Sequence, residues 1–337
     1  MLEAPASTLP TSRPIRSLKE LRAPVESELR AFDQLFRDSV RSPVGLLDTV
    51  TQYLLRQKGK QIRPLLVLLS AKACGGVTEA SYRGAALVEL LHTATLVHDD
   101  VVDDAERRRG MFSINAVWKN KVAVLLGDFL LSRGLQLSLE HQDYEFLHIL
   151  SNAVQRIMEG ELLQIKKTRK LNIDEPTYFR IIADKTASLI AACTTVGALS
   201  ATADREMVDR MRTMGEKMGM AFQIRDDLFD FGVRDVGKPI GIDLQEKKMT
   251  LPLIESLRRA SSRERKQILG IVKKKKKGRK DIAHVREFVE GYGGLAYARE
   301  HMHRFADEAY SELAGLPETD ARTALEDLIG YIVKRDI

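Results

Sequence analysis

An acidic cluster ends an apolar helical run, with carboxylates at Asp99, Asp100, Asp103 and Asp104, and three arginines follow at residues 107–109. Because residues three and four apart share one face of a helix, the spacing predicts that Asp99, Asp100 and Asp103 converge. Such a cluster repels itself strongly unless a cation neutralises it. Mg2+ commonly uses a few carboxylates together with phosphate oxygens, and arginines bind the same phosphates through paired hydrogen bonds. The pattern indicates a magnesium and phosphate site.

A solvated acidic helix end beside a basic turn is the plainer interpretation, since runs of charge are usually surface. A second copy of the motif argues against it. Asp226, Asp227 and Asp230 repeat the spacing, again at the end of an apolar helical stretch. Two such copies in one chain favour a shared functional role over chance.

Further cations lie at predicted helix starts, in a glycine-rich loop and inside one apolar helix. A turn that enters a helix presents backbone donors as well as side chains to an anion. Taken singly, each of these motifs is weak. They are Gly59–Pro64 with Lys60 and Arg63, Asp184–Ala187 with Lys185 and Thr186, Gly237–Asp243 with Lys238, and Lys248–Pro252.

Helical periodicity begins near Ser17 and dominates the chain, whereas alternating strand patterns are nearly absent. Several central helices are apolar on most faces, which is typical of the interior of a large bundle. We therefore predict an all-α protein with a flexible leader at residues 1–16 and one domain at 17–337. The predicted helices are 18–40, 44–57, 62–74, 78–104, 114–139, 143–170, 175–203, 204–231, 249–260, 262–272, 279–290, 293–312 and 318–335.

The composition is that of an ordinary globular protein, with 44% hydrophobic and 30% charged residues in 337. The two cysteines, Cys74 and Cys193, lie far apart without metal-binding spacing, which favours a reduced, cytoplasmic protein. A net charge of +6 would suit nucleic acid, but only 6% of the residues are aromatic and no nucleic-acid motif occurs. Small anionic substrates or an anionic membrane surface fit the charge equally well.

Five consecutive lysines, Lys273–Lys277, follow an apolar pair. A solvated loop between helices is the simpler interpretation. A contact with a membrane surface is the alternative, and it is attractive only if the product is a lipid.

In this order, the paired DDxxD motifs, the Arg-Arg-Gly and the Gly-Lys-x-x-Arg-Pro resemble the trans-isoprenyl diphosphate synthase (polyprenyl synthase) family over nearly the whole chain. The resemblance implies a single-domain bundle of about ten to thirteen helices around a central cavity, a homodimer, and Mg2+ held between the two motifs. The implied metal ligands are Asp99, Asp100, Asp103, Asp226, Asp227 and Asp230, and the implied catalytic residues are Asp99, Asp100, Asp103, Lys185, Asp226 and Asp227.

The resemblance also divides the cations and polar groups between two substrates. Those implied to bind the allylic diphosphate are Arg108, Lys185, Thr186, Gln223, Lys238 and Lys248. Those implied to bind isopentenyl diphosphate are Lys60, Arg63, His92 and Arg109. The chain departs from the family pattern at Lys247, which stands where a glycine is usual and leaves open which lysine reaches the phosphate.

The implied reaction ionises the allylic diphosphate, and fixed cations with Mg2+ stabilise the leaving group. The isopentenyl double bond attacks the allylic cation, which requires positioning, and the departing diphosphate takes the proton. The alternatives are a noncatalytic partner subunit, and a terpene cyclase or head-to-head synthase. Intact aspartates argue against the first, and the isopentenyl cations Lys60, Arg63 and Arg109 argue against the second.

Product length depends, by resemblance, on the residues one turn before the first aspartates. Here they are Ala94 and Thr95, which are small, whereas members with short products place bulky aromatic residues there. We therefore expect an open tunnel and a heptaprenyl to decaprenyl product for a quinone side chain, with octaprenyl as the central expectation. A farnesyl or geranylgeranyl synthase is the alternative.

Overall fold

A computed structural model describes residues 16–57, 59–232 and 241–334, which are almost entirely helical. The all-α class is therefore confirmed. The helices are α1 (Leu18–Arg22), α2 (Glu26–Ser39), α3 (Gly45–Arg56), α4 (Ile62–Cys74), α5 (Glu79–Val102), α6 (Ile114–Glu140), α7 (Tyr144–Lys170), α8 (Glu175–Ile182), α9 (Ser188–Leu199), α10 (Arg205–Phe229), α11 (Ile242–Gln245), α12 (Leu251–Arg259), α13 (Ser262–Lys273), α14 (Arg279–Gly291), α15 (Gly294–Leu313) and α16 (Asp320–Lys334).

Polar side chains fix where the helices begin. Ser17 accepts a hydrogen bond from the backbone N–H of Glu20, whose carboxylate accepts one from the backbone of Ser17 in return. Thr78 caps α5 and Asp204 caps α10, the two helices that carry the aspartate motifs. These caps satisfy N–H groups that have no partner within the helix, so they set where each motif-bearing helix starts.

The core lies where α4, α5, α9 and α10 pack together, and residues 65–69 of α4 are entirely buried. Helices α4 and α9 approach so closely that a Cβ atom at Gly197 would lie 2.3 Å from the carbonyl oxygen of Val67. Only glycine permits this approach. The buried central helices give the aspartate motifs rigid supports.

Three predicted elements differ from the structure. The predicted helix 18–40 is divided by a 3-10 turn at Ala23–Val25, and 175–203 is divided by a π-helical turn at Ala183–Ala187. The predicted break near Arg109 contains a small antiparallel hairpin, formed by β1 (Arg107–Arg108) and β2 (Met111–Phe112). Pro24 explains the first division, because proline cannot donate the hydrogen bond that would continue the helix.

The predicted leader, residues 1–16, lies outside the described residues except for Arg16, whose guanidinium pairs with Asp327 at 3.1 Å. Cys74 and Cys193 are both free and buried, and burial raises the pKa of each thiol to about 12. Neither cysteine is therefore placed to act as a nucleophile.

Helices α6 and α7 expose many apolar side chains, whereas most of the long helices in the described ranges bury theirs. Residues 114–140 and 175–199 are long and apolar enough to cross a membrane, but the second stretch is 72% buried within the bundle, and length and composition alone are weak evidence of a span. The exposed side chains on these two helices include Val117, Val124, Leu125, Leu135, Leu139, Tyr144, Met158, Leu162 and Ile165.

Candidate active site

The first aspartate motif occupies the last turn of α5, and its members do not all point the same way. Asp99 and Asp103 are exposed, whereas Asp100 is only 3% exposed. The guanidinium of Arg108 donates from Nε to both carboxylate oxygens of Asp100, at 2.8 Å each. Partial burial and the nearby Asp103 carboxylate raise the pKa of Asp99. Asp99 and Asp103 thus remain the pair in need of a cation, and Asp100 anchors an arginine.

The hairpin after α5 aims two arginines in different directions. Its two-residue loop, Arg109-Gly110, has φ values of +51° and +81°, the pair of left-handed residues that a type I′ turn requires. Arg108 is half-buried and faces Asp100, while Arg109 Nη1 donates to the carbonyl oxygen of Gln57 at 2.9 Å. A Cβ atom at Gly59 would lie 2.4 Å from the Arg109 guanidinium, so the glycine makes room for it.

A second group of cations lies beside this hairpin. The Nε atom of Arg63 is buried and has no hydrogen-bond partner among the described residues. Burial lowers the pKa of Arg63, whereas the carboxylate of Glu89 acts in the opposite direction. Glu89 lines a cavity of about 110 Å3 together with Arg108 and Arg109. A buried guanidinium N–H that no described residue accepts is suited to binding an anion.

His92 contributes no positive charge to this group. It is 8% exposed, and burial together with the charges of Arg63, Arg109 and Arg108 lowers its pKa to about 2. The imidazole is therefore neutral at physiological pH and acts only as a hydrogen-bonding group. Lys60 is exposed, and it lines with Arg63 a larger cavity of about 490 Å3.

The second aspartate motif ends α10, and its central member, Asp227, is held by two donors. Tyr178 Oη donates to Asp227 Oδ2 at 2.7 Å, and Gln223 Nε2 donates to Oδ1 at 2.9 Å. Thr186 in turn donates to Gln223 Oε1 at 2.8 Å. Burial raises the pKa of Asp227 to about 7, although both hydrogen bonds lower it. Burial and Asp243 also raise the pKa of Asp230.

The π-helical turn between α8 and α9 places Lys185 between the two acidic motifs. Lys185 forms an ion pair with Glu161 and donates to Gln164 Oε1 at 3.3 Å, both on α7. It lies near enough to Asp99 to lower the pKa of that carboxyl. Lys185 also lines the 490 Å3 cavity, which Asp226 lines as well. One cation thus faces both aspartate motifs.

A third cavity of about 230 Å3 joins most of the residues that the resemblance assigned to the allylic diphosphate. Despite its burial, Lys248 has a raised pKa, because Glu246 and Asp243 accept hydrogen bonds from its ammonium group at 2.6 and 3.2 Å. Lys247 does not line this cavity and has a φ of +61°, the conformation that a glycine would favour there. Lys238 lies outside the described residues. The lining includes Gln164, Tyr178, Lys185, Thr186, Gln223, Asp226, Asp227, Asp243 and Lys248.

The donor set fits a hard divalent cation that shares its coordination with phosphate. In the described ranges, no group of three His, Cys, Asp or Glu side chains converges to hold a metal by itself. Asp100 and Asp227 are already hydrogen-bonded to other side chains, so the first motif offers the pair Asp99 and Asp103 for a cation. Mg2+ is commonly bound in this way, through one or two carboxylates with water and substrate phosphate completing the shell.

The two residues expected to govern product length lie deeper on α5. Ala94 is fully buried in a cluster with Leu90 and Val97 of the same helix and Ala123 and Leu126 of α6. Thr95 is half-buried, and its hydroxyl donates to the carbonyl oxygen of His92 at 2.8 Å. Neither residue lines the cavities described above.

Three residues of the site were not identified from the sequence: Tyr178, Glu89 and Asp243. Glu89 carried a usable signal, since it is an acidic residue in an apolar run, three positions before His92 on the same helix. Tyr178 carried none, because nothing local shows that it reaches a carboxylate 49 positions away. Asp243 stood in the predicted glycine-rich loop without an assigned role.

Comparisons with known proteins agree with this arrangement. The family model described as polyprenyl synthetase matches residues 44–289. Octaprenyl diphosphate synthase of Escherichia coli K12 is 34% identical over 95% of this chain and 99% of its own length. A short chain isoprenyl diphosphate synthase of Methanothermobacter thermautotrophicus is also 34% identical, over 91% and 98%. The crystal structure of a polyprenyl synthase from Caulobacter crescentus CB15, complexed with calcium and isoprenyl diphosphate, superposes with a TM-score of 0.85 at 34% identity over 96% and 99% of the two chains.

Proposed function

The chain belongs to the polyprenyl synthetase family, and from that premise we propose that it is a Mg2+-dependent prenyltransferase that adds isopentenyl diphosphate units to an allylic diphosphate. The observation that carries the proposal is that cations line three cavities beside the aspartate motifs, and that Lys185 lines two of them. Lys185 and Lys248 line the 230 Å3 cavity with the second aspartate motif, and Arg108 and Arg109 line the 110 Å3 cavity. Arg63 and Lys185 line the 490 Å3 cavity together. A head-to-tail condensation needs two such diphosphate sites side by side.

The chain's own residues divide the chemistry. Lys185 and Lys248 stabilise the diphosphate that leaves the allylic carbon, and fixed charges of this kind need no reorganisation as the C–O bond breaks. Arg63, Arg109 and neutral His92 hold isopentenyl diphosphate so that its double bond meets the allylic carbon, and the departing diphosphate takes the proton. Bound Mg2+ would neutralise the leaving diphosphate. Its proposed ligands are Asp99, Asp100, Asp103, Asp226, Asp227 and Asp230.

An incubation of the purified protein with Mg2+, farnesyl diphosphate and labelled isopentenyl diphosphate tests the function. We expect label in a long-chain all-trans polyprenyl diphosphate, centred on octaprenyl. Absence of incorporation would support a noncatalytic partner subunit, and a cyclic or head-to-head product would support the other alternative. Chromatography of the product also separates a long-chain enzyme from a farnesyl or geranylgeranyl synthase.

We further propose a cytoplasmic homodimer built from residues 17–337 as one domain. The exposed apolar side chains of α6 and α7 support a self-association face, because a high density of exposed apolar side chains commonly marks an interface. Leu125→Glu in α6 is expected to give a monomer in size-exclusion chromatography with light scattering. Leu46→Glu, an equally exposed leucine on α3, is the matched control, and dissociation by both variants alike would contradict this face.

Gly59→Ala tests the isopentenyl site. The new methyl group must displace the Arg109 guanidinium, so we expect KM for isopentenyl diphosphate to rise by roughly tenfold, the value of one charge-assisted hydrogen bond, with little change in kcat. Steady-state kinetics with each substrate varied in turn measures the effect. Gly45→Ala, which meets nothing within 4 Å, is the control. An unchanged KM would show that Arg109 does not bind isopentenyl diphosphate.

Tyr178→Phe tests how Asp227 is held. The hydrogen bond from Tyr178 lowers the pKa of Asp227, so its removal should raise that pKa above its value of about 7. Cation binding needs the ionised carboxylate, so divalent-metal affinity should fall several-fold at pH 7 and recover at higher pH. Calorimetric Mn2+ titrations from pH 6 to 8.5 measure this. Tyr297→Phe loses a hydrogen bond to Glu175, and its Mn2+ affinity should depend on pH as that of wild type does.

A further inference from the structure

One turn of this protein carries a local excess of positive charge as large as the net charge of the whole chain. Residues 273–280, which we call the basic turn, contain six lysines and one arginine and no acidic residue. The whole chain has a net charge of only +6, so the remainder is close to neutral. Six of the seven cationic residues are exposed, and Lys277 is the buried one. This local excess needs a reason beyond general solubility.

The basic turn is held in place by the fold. Lys277 Nζ donates to the carbonyl oxygens of Lys274 at 3.0 Å and Gln245 at 3.5 Å. Gln245 Nε2 donates to the carbonyl oxygen of Lys277 at 2.8 Å, and Gln245 Oε1 accepts from the backbone N–H of Lys277 at 3.2 Å. Asp281 bonds the backbone N–H of Gly278 at the start of α14. The exposed ammonium groups therefore project from an ordered scaffold.

Among the described residues, little of this charge is neutralised by acidic side chains. In the part of the chain that the structure describes, the only ion pair of the basic turn joins Lys274 to Asp281 at 2.5 Å. Lys273, Lys275 and Lys276 have no acidic partner within that part. Seven cations so close together repel one another, and that repulsion is relieved when an extended anionic surface approaches.

The basic turn is connected to the second aspartate motif through α11. Gln245, which holds it, ends α11, and Asp243 of the same helix accepts a hydrogen bond from Lys248 in the candidate active site. The backbone N–H of Gly241, just before α11, donates to the carbonyl oxygen of Asp230 at 3.2 Å. A surface docked on the basic turn would therefore lie near the second aspartate motif.

From these observations we infer that the basic turn docks the enzyme on an anionic phospholipid bilayer. The inference rests on the proposed function, because a long prenyl diphosphate is an amphiphile that must pass from the enzyme to a membrane. Lysine clusters attract anionic lipid surfaces through charge alone, and each lysine near the surface strengthens binding by roughly fivefold. The turn exposes no aromatic residue on which a nucleic-acid base could stack, so a bilayer suits it better than nucleic acid.

Vesicle sedimentation with the full chain, in the absence of substrates, tests the docking surface separately from catalysis. We expect wild type to bind vesicles of phosphatidylcholine with 30% phosphatidylglycerol, not vesicles of phosphatidylcholine alone, and to be released by 0.5 M NaCl, since salt screens such contacts. The triple variant Lys273→Gln, Lys275→Gln, Lys276→Gln should bind the anionic vesicles roughly a hundredfold more weakly. Its rate of isopentenyl addition in detergent should equal that of wild type.

A second triple variant, Lys19→Gln, Arg41→Gln, Arg299→Gln, removes the same charge from dispersed exposed positions and should retain vesicle binding. Equal loss in both triple variants, or failure of wild type to bind anionic vesicles, would overturn the inference. A raised KM for isopentenyl diphosphate in the first variant would assign the turn to substrate attraction instead. Tight binding of duplex DNA without vesicle binding would assign it to nucleic acid. If the wild-type protein binds vesicles but lacks synthase activity, the proposed function is contradicted, whereas the docking surface is still supported.

Discussion

Asp99→Asn is expected to lower kcat for isopentenyl addition by roughly a hundred- to a thousandfold, the usual loss when one group that stabilises transition-state charge is removed. Asp99 is exposed at the end of α5, and partial burial of its carboxyl together with Asp103 raises its pKa. Arg108 is hydrogen-bonded to Asp100 instead. An amide at this position keeps the shape but supplies no charge to a divalent cation. Single-turnover kinetics at saturating Mg2+ measures the loss.

The neighbouring Asp104 provides the control for this substitution. It is exposed, has a φ of +49° and lines none of the described cavities, and asparagine tolerates that backbone conformation well. Asp104→Asn should therefore leave kcat within about twofold of wild type. If Asp99→Asn were equally active, or if excess Mg2+ restored it fully, Asp99 would not be an essential ligand.

Ala94→Phe is expected to shorten the product from about octaprenyl to a farnesyl- or geranylgeranyl-sized chain. The added ring must occupy space between α5 and α6, below the first aspartate motif, where Ala94 is fully buried. Chromatography of the labelled products gives their chain lengths directly. Ala94→Val adds a smaller side chain, so it should shorten the product by fewer isoprene units than Ala94→Phe.

Overpacking of the core accompanies this substitution and needs its own control, since it costs about 1 to 3 kcal/mol. Ala73→Phe at the end of α4 adds the same ring at another buried position and should lower stability in thermal denaturation without changing product length. An unchanged octaprenyl product from a folded Ala94→Phe protein would show that the growing chain does not pass between α5 and α6.

Much of this protein could be predicted from local patterns. Helical periodicity is a property of adjacent residues, and it predicted most helices to within a few positions. The DDxxD spacing likewise places carboxylates on the last turn of a helix wherever that helix packs. The hairpin could have been anticipated from Arg109-Gly110, because a two-residue loop of this kind favours glycine.

Only the tertiary structure decided how these groups are used. Asp99 and Asp100 are adjacent and chemically identical, yet packing leaves one exposed and turns the other toward Arg108. The π-helical turn that carries Lys185 lies where Gly160 of α7 brings its backbone against Asp184.

The same holds for the groups that set the charge states of the site. Tyr178 reaches Asp227 across 49 positions, and the low pKa of His92 comes from burial among arginines of other elements. Hydrogen bonds and desolvation act through space, so a sequence determines which groups are available, and the packed bundle determines which of them are charged, paired or free to bind a substrate.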